Sequence, residues 1–189
     1  MLENPETIEA PKVEVEVHPN RLAIFGGSFD PVHNGHLELA KAVLAKDLTN
    51  EVLFVPAAQP PHKRDRKLLS GKHRLAMLDA MIGDDPLMSY SDYEVVKGKQ
   101  LSFTIQTLRA MSHIYPEKEI SLIIGMDNLL DLNQWNSFRS ILDDYKLIVF
   151  TRPGVAPASY ADLQEKLGAK YANRILDNVI TDVNFDISS

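Results

Sequence analysis

Short, wholly apolar runs alternate along this chain with longer stretches in which apolar residues recur every three or four positions. Leu22-Ala23-Ile24-Phe25 ends at two glycines and has the make-up of a strand buried on both faces. From Asn34 to Lys46 the pattern predicts a helix with Leu37, Ala40 and Leu44 on one side. Val52-Leu53-Phe54-Val55 reads as the next buried strand, stopped by Pro56. Residues 57–69 form a basic loop around Pro60-Pro61, with Lys63, Arg64, Arg66 and Lys67. Ser70 is placed to cap a helix running to Met81, with Leu75, Leu78 and Ile82 inward.

The alternation continues in the second half. A strand is expected over Tyr90–Val95, a helix over Thr104–His113, and a strongly apolar strand over Ile120–Gly125. A short helix over Ser137–Leu142 leads to a strand over Lys146–Phe150, closed by Arg152-Pro153-Gly154. A helix near Ala161–Leu167 and a strand near Arg174–Thr181 follow. Strands and helices in this rhythm imply an α/β fold with a mostly parallel sheet and helices on both faces. Residues 21–189 read as one domain. Residues 1–20, with Pro5, Pro11 and Pro19, read as a flexible acidic extension, within which Val13, Val15 and Val17 alternate as in a short edge strand. In parallel sheets of this kind ligands bind beyond the carboxyl ends of the strands, where the strand order reverses.

Composition narrows the function classes. The chain has 189 residues, 44% apolar and 24% charged, as in a soluble globular domain. With no cysteine there is no thiol nucleophile, disulfide or zinc-thiolate site, which fits a reducing, cytoplasmic setting. No apolar run approaches a membrane span. Of the net charge of −6, residues 1–20 carry most, with five Glu against one Lys. An acidic balance argues against nucleic acid as a partner, so positive potential for a phosphorylated ligand has to be local. Monomer and homodimer both stay open.

The chemistry concentrates at the first strand-to-helix junction, Gly26-Gly27-Ser28-Phe29-Asp30-Pro31-Val32-His33-Asn34-Gly35-His36. Glycines at a strand end let backbone approach a phosphate, and the helix N-terminus adds free N–H groups and a positive dipole end. His33 and His36, three apart, share one face and can reach one ligand. Each element alone has a bland reading: a turn, a surface histidine, or a metal pair lacking a third ligand. Together at one junction they indicate a phosphate site. The spacing also excludes a nicotinamide-using oxidoreductase, which needs GxGxxG here.

The string resembles the (T/S)FDPxHxGH signature of the nucleotidylyltransferase superfamily. The glycine pair before it and several later motifs resemble the bacterial nicotinate-nucleotide adenylyltransferase family. These are Pro60-Pro61-His62-Lys63 (PPHK), Ser102-Phe103-Thr104 (S-Y-T, with Phe103 for Tyr), Ile123-Ile124-Gly125-Met126-Asp127 (IIGxD), Trp135 and Ile187-Ser188-Ser189 (the start of ISSTxIR). The resemblance spans residue 21 to the last. It implies a Rossmann-like three-layer fold, adenylyl transfer from ATP to nicotinate mononucleotide in NAD biosynthesis, and magnesium carried with ATP rather than by protein ligands. It also implies roles: His33 and His36 as catalytic residues; Gly26, Gly27, Ser28, Phe29, Lys63, Gly125, Asp127 and Ser188 toward ATP and its phosphates; Phe103, Thr104 and Trp135 toward the nicotinate nucleotide. The family's Thr and Arg after Ser189 are missing from these residues, so one phosphate-binding arm is expected to be incomplete. Alternatives on the same scaffold are a pantetheine-phosphate adenylyltransferase or a related nucleotidylyltransferase. From another class, a nucleotide-binding module without turnover stays open. Asp127, Ser102 and Thr104 also have plain readings as helix caps.

Overall fold

The structure, a computed structural model, describes residues 20–59, 68–98, 101–151, 156–176 and 179–180. Among the described residues six parallel strands form one sheet: β1 (Arg21–Gly27), β2 (Glu51–Pro56), β3 (Met88–Tyr90), β4 (Glu119–Gly125), β5 (Lys146–Phe150) and β6 (Val179–Ile180). Their order is β3-β2-β1-β4-β5-β6. The chain therefore builds outward from β1 in one direction and then restarts on its other side with β4. The switch point lies between the carboxyl ends of β1 and β4, where both strands end in glycine.

Alternate strand residues feed two cores. One joins Ala23, Phe25, Val52, Phe54 and Ile148 to α1 (Asn34–Ala45) and α2 (Gly71–Ile82). The other joins Leu22, Ile24, Leu53, Ile124 and Val149 to α3 (Thr104–Ile114), α4 (Met126–Leu130), α5 (Phe138–Asp144), α6 (Tyr160–Leu167) and α7 (Ala169–Leu176). Burial of the strands on both faces is what their unbroken apolar runs require.

Four expectations are corrected. In α1 the buried residues are Gly35, Leu39, Ala40 and Val43, so Leu37 and Leu44 lie only at the edge of that face. In α2, Leu78 and Ile82 are buried as expected, but Arg74 takes the inward position assigned to Leu75. The strand expected over Tyr90–Val95 ends at Tyr90, and a 3-10 turn at Val95–Lys97 follows. Arg174 lies in α7, and among the described residues of the final expected strand only Val179–Ile180 pair with β5. In α7 the residues 171, 172 and 175 are buried, a helical spacing that a strand reading of Arg174–Thr181 cut across. The possible edge strand at 13–17 and the extension containing it lie outside the described residues.

A surface tie fixes α7 to α5. Lys170 Nζ donates to Asp143 Oδ1 at 2.5 Å, and the Tyr171 hydroxyl donates to the same carboxylate. The Lys170 hydrogen bond, helped by Tyr171, holds the Asp143 carboxyl below its ordinary range. A carboxyl depressed in the folded state adds stability at neutral pH that fades as pH falls through its folded value. Asp143→Asn is thus expected to lower the melting temperature near pH 6, with the gap to wild type closing below about pH 4. A gap unchanged across that range would show that the charge on Asp143 is not what stabilises the tie.

Candidate active site

Beyond the switch point the chain leaves a cavity of about 680 Å³, inside the usual range for a small-ligand site. Its walls include Gly26, Gly27, Ser28, Phe29, His33 and His36 from the first junction, Phe103 and Thr104 from the start of α3, Gly125 from the end of β4 and Trp135 from beyond it. Residues far apart in sequence converge here because the carboxyl ends of adjacent parallel strands open onto the same side.

The first junction is shaped by Phe29. Its backbone has φ of 45° and its side chain is 2% exposed. A bulky residue in the left-handed region costs about 1–3 kcal/mol, and burial among Phe25 and Phe54 offsets it. The ring folds back so that a Cβ on Gly27 would sit 3.0 Å from Phe29 Cζ. At Gly26 a Cβ would meet nothing within 4 Å among the described residues, so that glycine leaves backbone open to the cavity. The role assigned to Phe29 is narrowed accordingly: its ring belongs to the core, and only its backbone is left for a phosphate.

His33 is the N-cap of α1. The two imidazoles lie with ring centroids 3.8 Å apart. The His33 backbone N–H donates to His36 Nδ1 at 3.2 Å. With Nδ1 accepting, the His36 ring proton sits on Nε2, which becomes the ring's N–H donor. The His36 ring packs edge-on to Phe29, centroids 5.1 Å apart, and against Phe25 at 5.8 Å. No acidic side chain occupies the first turn of α1, so the positive end of the helix is uncancelled.

Asp30 and Arg74 fix the loop between. Asp30 Oδ2 accepts from the Leu69 backbone N–H at 3.2 Å. Arg74 is 2% exposed. It donates from Nη1 to the Ser28 carbonyl at 2.8 Å and from Nε to the Leu69 carbonyl at 3.2 Å. Burial pulls its pKa below the ordinary arginine value, and the Asp30 and Glu94 carboxylates partly restore it. Sequence reading missed Arg74. The signal was present: Arg74, Leu78 and Ile82 are spaced four apart on one stripe.

At the other end, neither Ser102 nor Thr104 caps α3. Phe103 is the N-cap residue and makes no side-chain cap bond. Ser102 Oγ instead accepts from the Ala58 N–H at 2.9 Å, and the Ser102 N–H donates to the Gln59 carbonyl at 3.0 Å. The α3 start is thereby stapled to the chain leaving β2, and no side-chain cap pairs its first N–H groups. Trp135 is half-buried, packed on the larger core and lining the cavity. Ser137, with φ of 53°, turns the chain sharply into α5 just beyond it.

Asp127 is exposed on the first turn of α4, with its carboxylate against Gly125, where a Cβ would fall 2.5 Å from Oδ1. The α4 N-cap is Gly125, so Asp127 is not that cap. Gln134 and Asn136 also line the cavity, as does Glu94, and nothing in their local sequence singled them out. Lys63 and Ser188 lie outside the described residues. No helix among the described residues is long and apolar enough to cross a membrane.

Residues 24–188 match the family described as cytidylyltransferase-like. A Symbiobacterium thermophilum protein named "Probable nicotinate-nucleotide adenylyltransferase" is 36% identical over 82% of this chain and 74% of its own length. A Clostridium acetobutylicum protein of the same name is 37% identical over 88% of this chain and 82% of its own. Among solved structures, Plasmodium falciparum nicotinic acid mononucleotide adenylyltransferase complexed with NaAD aligns with a TM-score of 0.67 over 90% of this chain and 77% of that one. It is 18% identical, a likeness of fold.

Proposed function

The chain belongs to the cytidylyltransferase-like family and, within it, to the nicotinate-nucleotide adenylyltransferases, and from that premise we propose that it transfers the AMP group of ATP to nicotinate mononucleotide. The products are nicotinate adenine dinucleotide and pyrophosphate, a step of NAD biosynthesis. The observation that carries the reading is a single cavity lined both by His33, His36 and the glycine-rich loop and by Thr104 and Trp135.

The reaction is an in-line displacement. A phosphate oxygen of the mononucleotide attacks the α-phosphorus of ATP, and the bond to the pyrophosphate oxygen breaks. The nucleophile is already anionic, so no general base is needed. Catalysis is positioning together with stabilisation of charge at phosphorus and on the leaving group. His36 Nε2, His33 and the backbone N–H groups near Gly26, Gly27 and Ser28 supply donors for that charge. Gly125 ends β4 and Asp127 follows it on α4, a place where a carboxylate suits ribose hydroxyls. At the α3 start, free N–H groups suit the nicotinate carboxylate, and Trp135 offers a face for the pyridine ring.

Magnesium is proposed as the ion that ATP brings. Among the described residues no three His, Asp or Glu side chains gather into a cation site. This suits an ion held by phosphate oxygens and water, where it neutralises phosphate charge.

The test is a substrate panel with ATP and magnesium, following pyrophosphate with nicotinate mononucleotide, nicotinamide mononucleotide or phosphopantetheine. Turnover is expected with nicotinate mononucleotide. Faster turnover with phosphopantetheine, or ATP binding without pyrophosphate release from any acceptor, would overturn the assignment. Trp135→Ala is expected to raise KM for the mononucleotide about tenfold and leave KM for ATP unchanged. Equal effects on both would remove Trp135 from the pyridine side.

A further inference from the structure

Glu94 follows β3, where the mechanism above gives it no task. It is 6% exposed and lines the cavity. The Thr107 hydroxyl, on the buried face of α3, donates to its Oε1 at 2.5 Å. Its other oxygen, Oε2, is buried and has no hydrogen-bond partner among the described residues. Arg74 attracts the carboxylate through space but directs Nε and Nη1 to the carbonyls of Leu69 and Ser28. An unmet acceptor on a buried carboxylate is costly, and its presence at a ligand cavity calls for a donor.

The donor's chemistry can be narrowed by elimination, resting on the reading of the cavity just proposed. A carboxylate accepts only. At neutral pH the phosphate and the carboxylate of nicotinate mononucleotide carry no proton to give. Its ribose hydroxyls are the donors it has. From ATP the donors are another ribose and the adenine amino group, but Glu94 is bonded to Thr107 of α3, the helix whose first residues, Phe103 and Thr104, line the cavity where the mononucleotide is proposed to sit. Thr107 fixes Oε1, so Oε2 is the oxygen left to receive a substrate. We propose that Glu94 Oε2 accepts a hydrogen bond from a ribose hydroxyl of the bound mononucleotide, making Glu94 a specificity-determining residue for the acceptor substrate.

The experiment is a cycle between enzyme and substrate. Wild type and Glu94→Gln are assayed for kcat/KM with nicotinate mononucleotide and with its 2′-deoxy and 3′-deoxy forms. A hydrogen bond to a charged group corresponds to a loss of roughly 10- to 100-fold. Wild type is expected to lose that much with one deoxy form. Glu94→Gln should lose a similar factor with the full substrate and little more with that deoxy form. Equal wild-type rates with all three substrates would overturn the proposal without any variant. So would a deoxy penalty that Glu94→Gln leaves unchanged. Should the glutamine variant not fold, Glu94→Asp keeps the charge, shortens its reach, and is expected to erase the same discrimination; retained discrimination there also overturns it. Failure of wild type to use nicotinate mononucleotide at all would instead sink the assigned reaction.

Discussion

His36→Ala is expected to slow pyrophosphate release by about 100- to 1,000-fold at saturating ATP and nicotinate mononucleotide, the usual loss when one preorganised donor to developing charge is removed. The size of the effect follows from how the ring is held. Its Nδ1 is committed to the His33 backbone N–H, and its flanks are set by Phe25 and Phe29. Nε2 is therefore aimed before substrate arrives, and little reorganisation is needed during reaction. The same bond serves the start of α1, so alanine also removes a cap contact, costing about 1 kcal/mol. Melting curves separate the two losses: a small fall in melting temperature cannot account for a hundredfold fall in kcat. A kcat near wild type would show that His36 is only a cap.

Arg74→Met is expected to be the most damaging single change for the fold, at about 3–5 kcal/mol, the range for removing one partner from a buried charged network. Methionine fills much of the same space, so the loss is mainly electrostatic. The Ser28 and Leu69 carbonyls lose their donor, and the Asp30 and Glu94 carboxylates lose their counter-charge. Denaturant unfolding measures this directly. Arg74→Lys should fall between, because an ammonium cannot span both carbonyls with the fork that Nε and Nη1 provide. A melting temperature within 2 degrees of wild type for Arg74→Met, a window of about ΔΔG below 1 kcal/mol, would mean that the two carboxylates do not depend on it.

Much of this could be read from the residues in order. The buried strands announced themselves because a strand covered on both faces must be apolar throughout, and the β5 limits at Lys146 and Phe150 match the expected ones. The glycine pair and the histidine pair were legible because their chemistry is local, confined to one strand-to-helix junction. What stayed hidden depends on long-range contact. Arg74 and Glu94 are charged residues in sequence and buried ones in space, and only the meeting of α2, α3 and the first junction makes that tolerable. The short β3 was displaced because Tyr93 and Val95 look strand-like, yet the chain turns at that edge of the sheet. Ser102 looked like a helix cap because its type fits one. Its actual partner lies 44 residues away, at Ala58.

The seating of Phe29 has a consequence for how this enzyme can be altered. Its ring, facing Gly27 and His36 from within the core, makes heat tolerance and turnover one property at that spot. A library selected only for survival at high temperature could repack Phe25, Phe29 or Phe54 with aliphatic residues and keep a sound protein whose imidazole has drifted. Engineers seeking a sturdier catalyst have freer ground in α6 and α7, on the opposite face of the sheet, where side chains can be exchanged without touching the aromatic bed on which His36 rests.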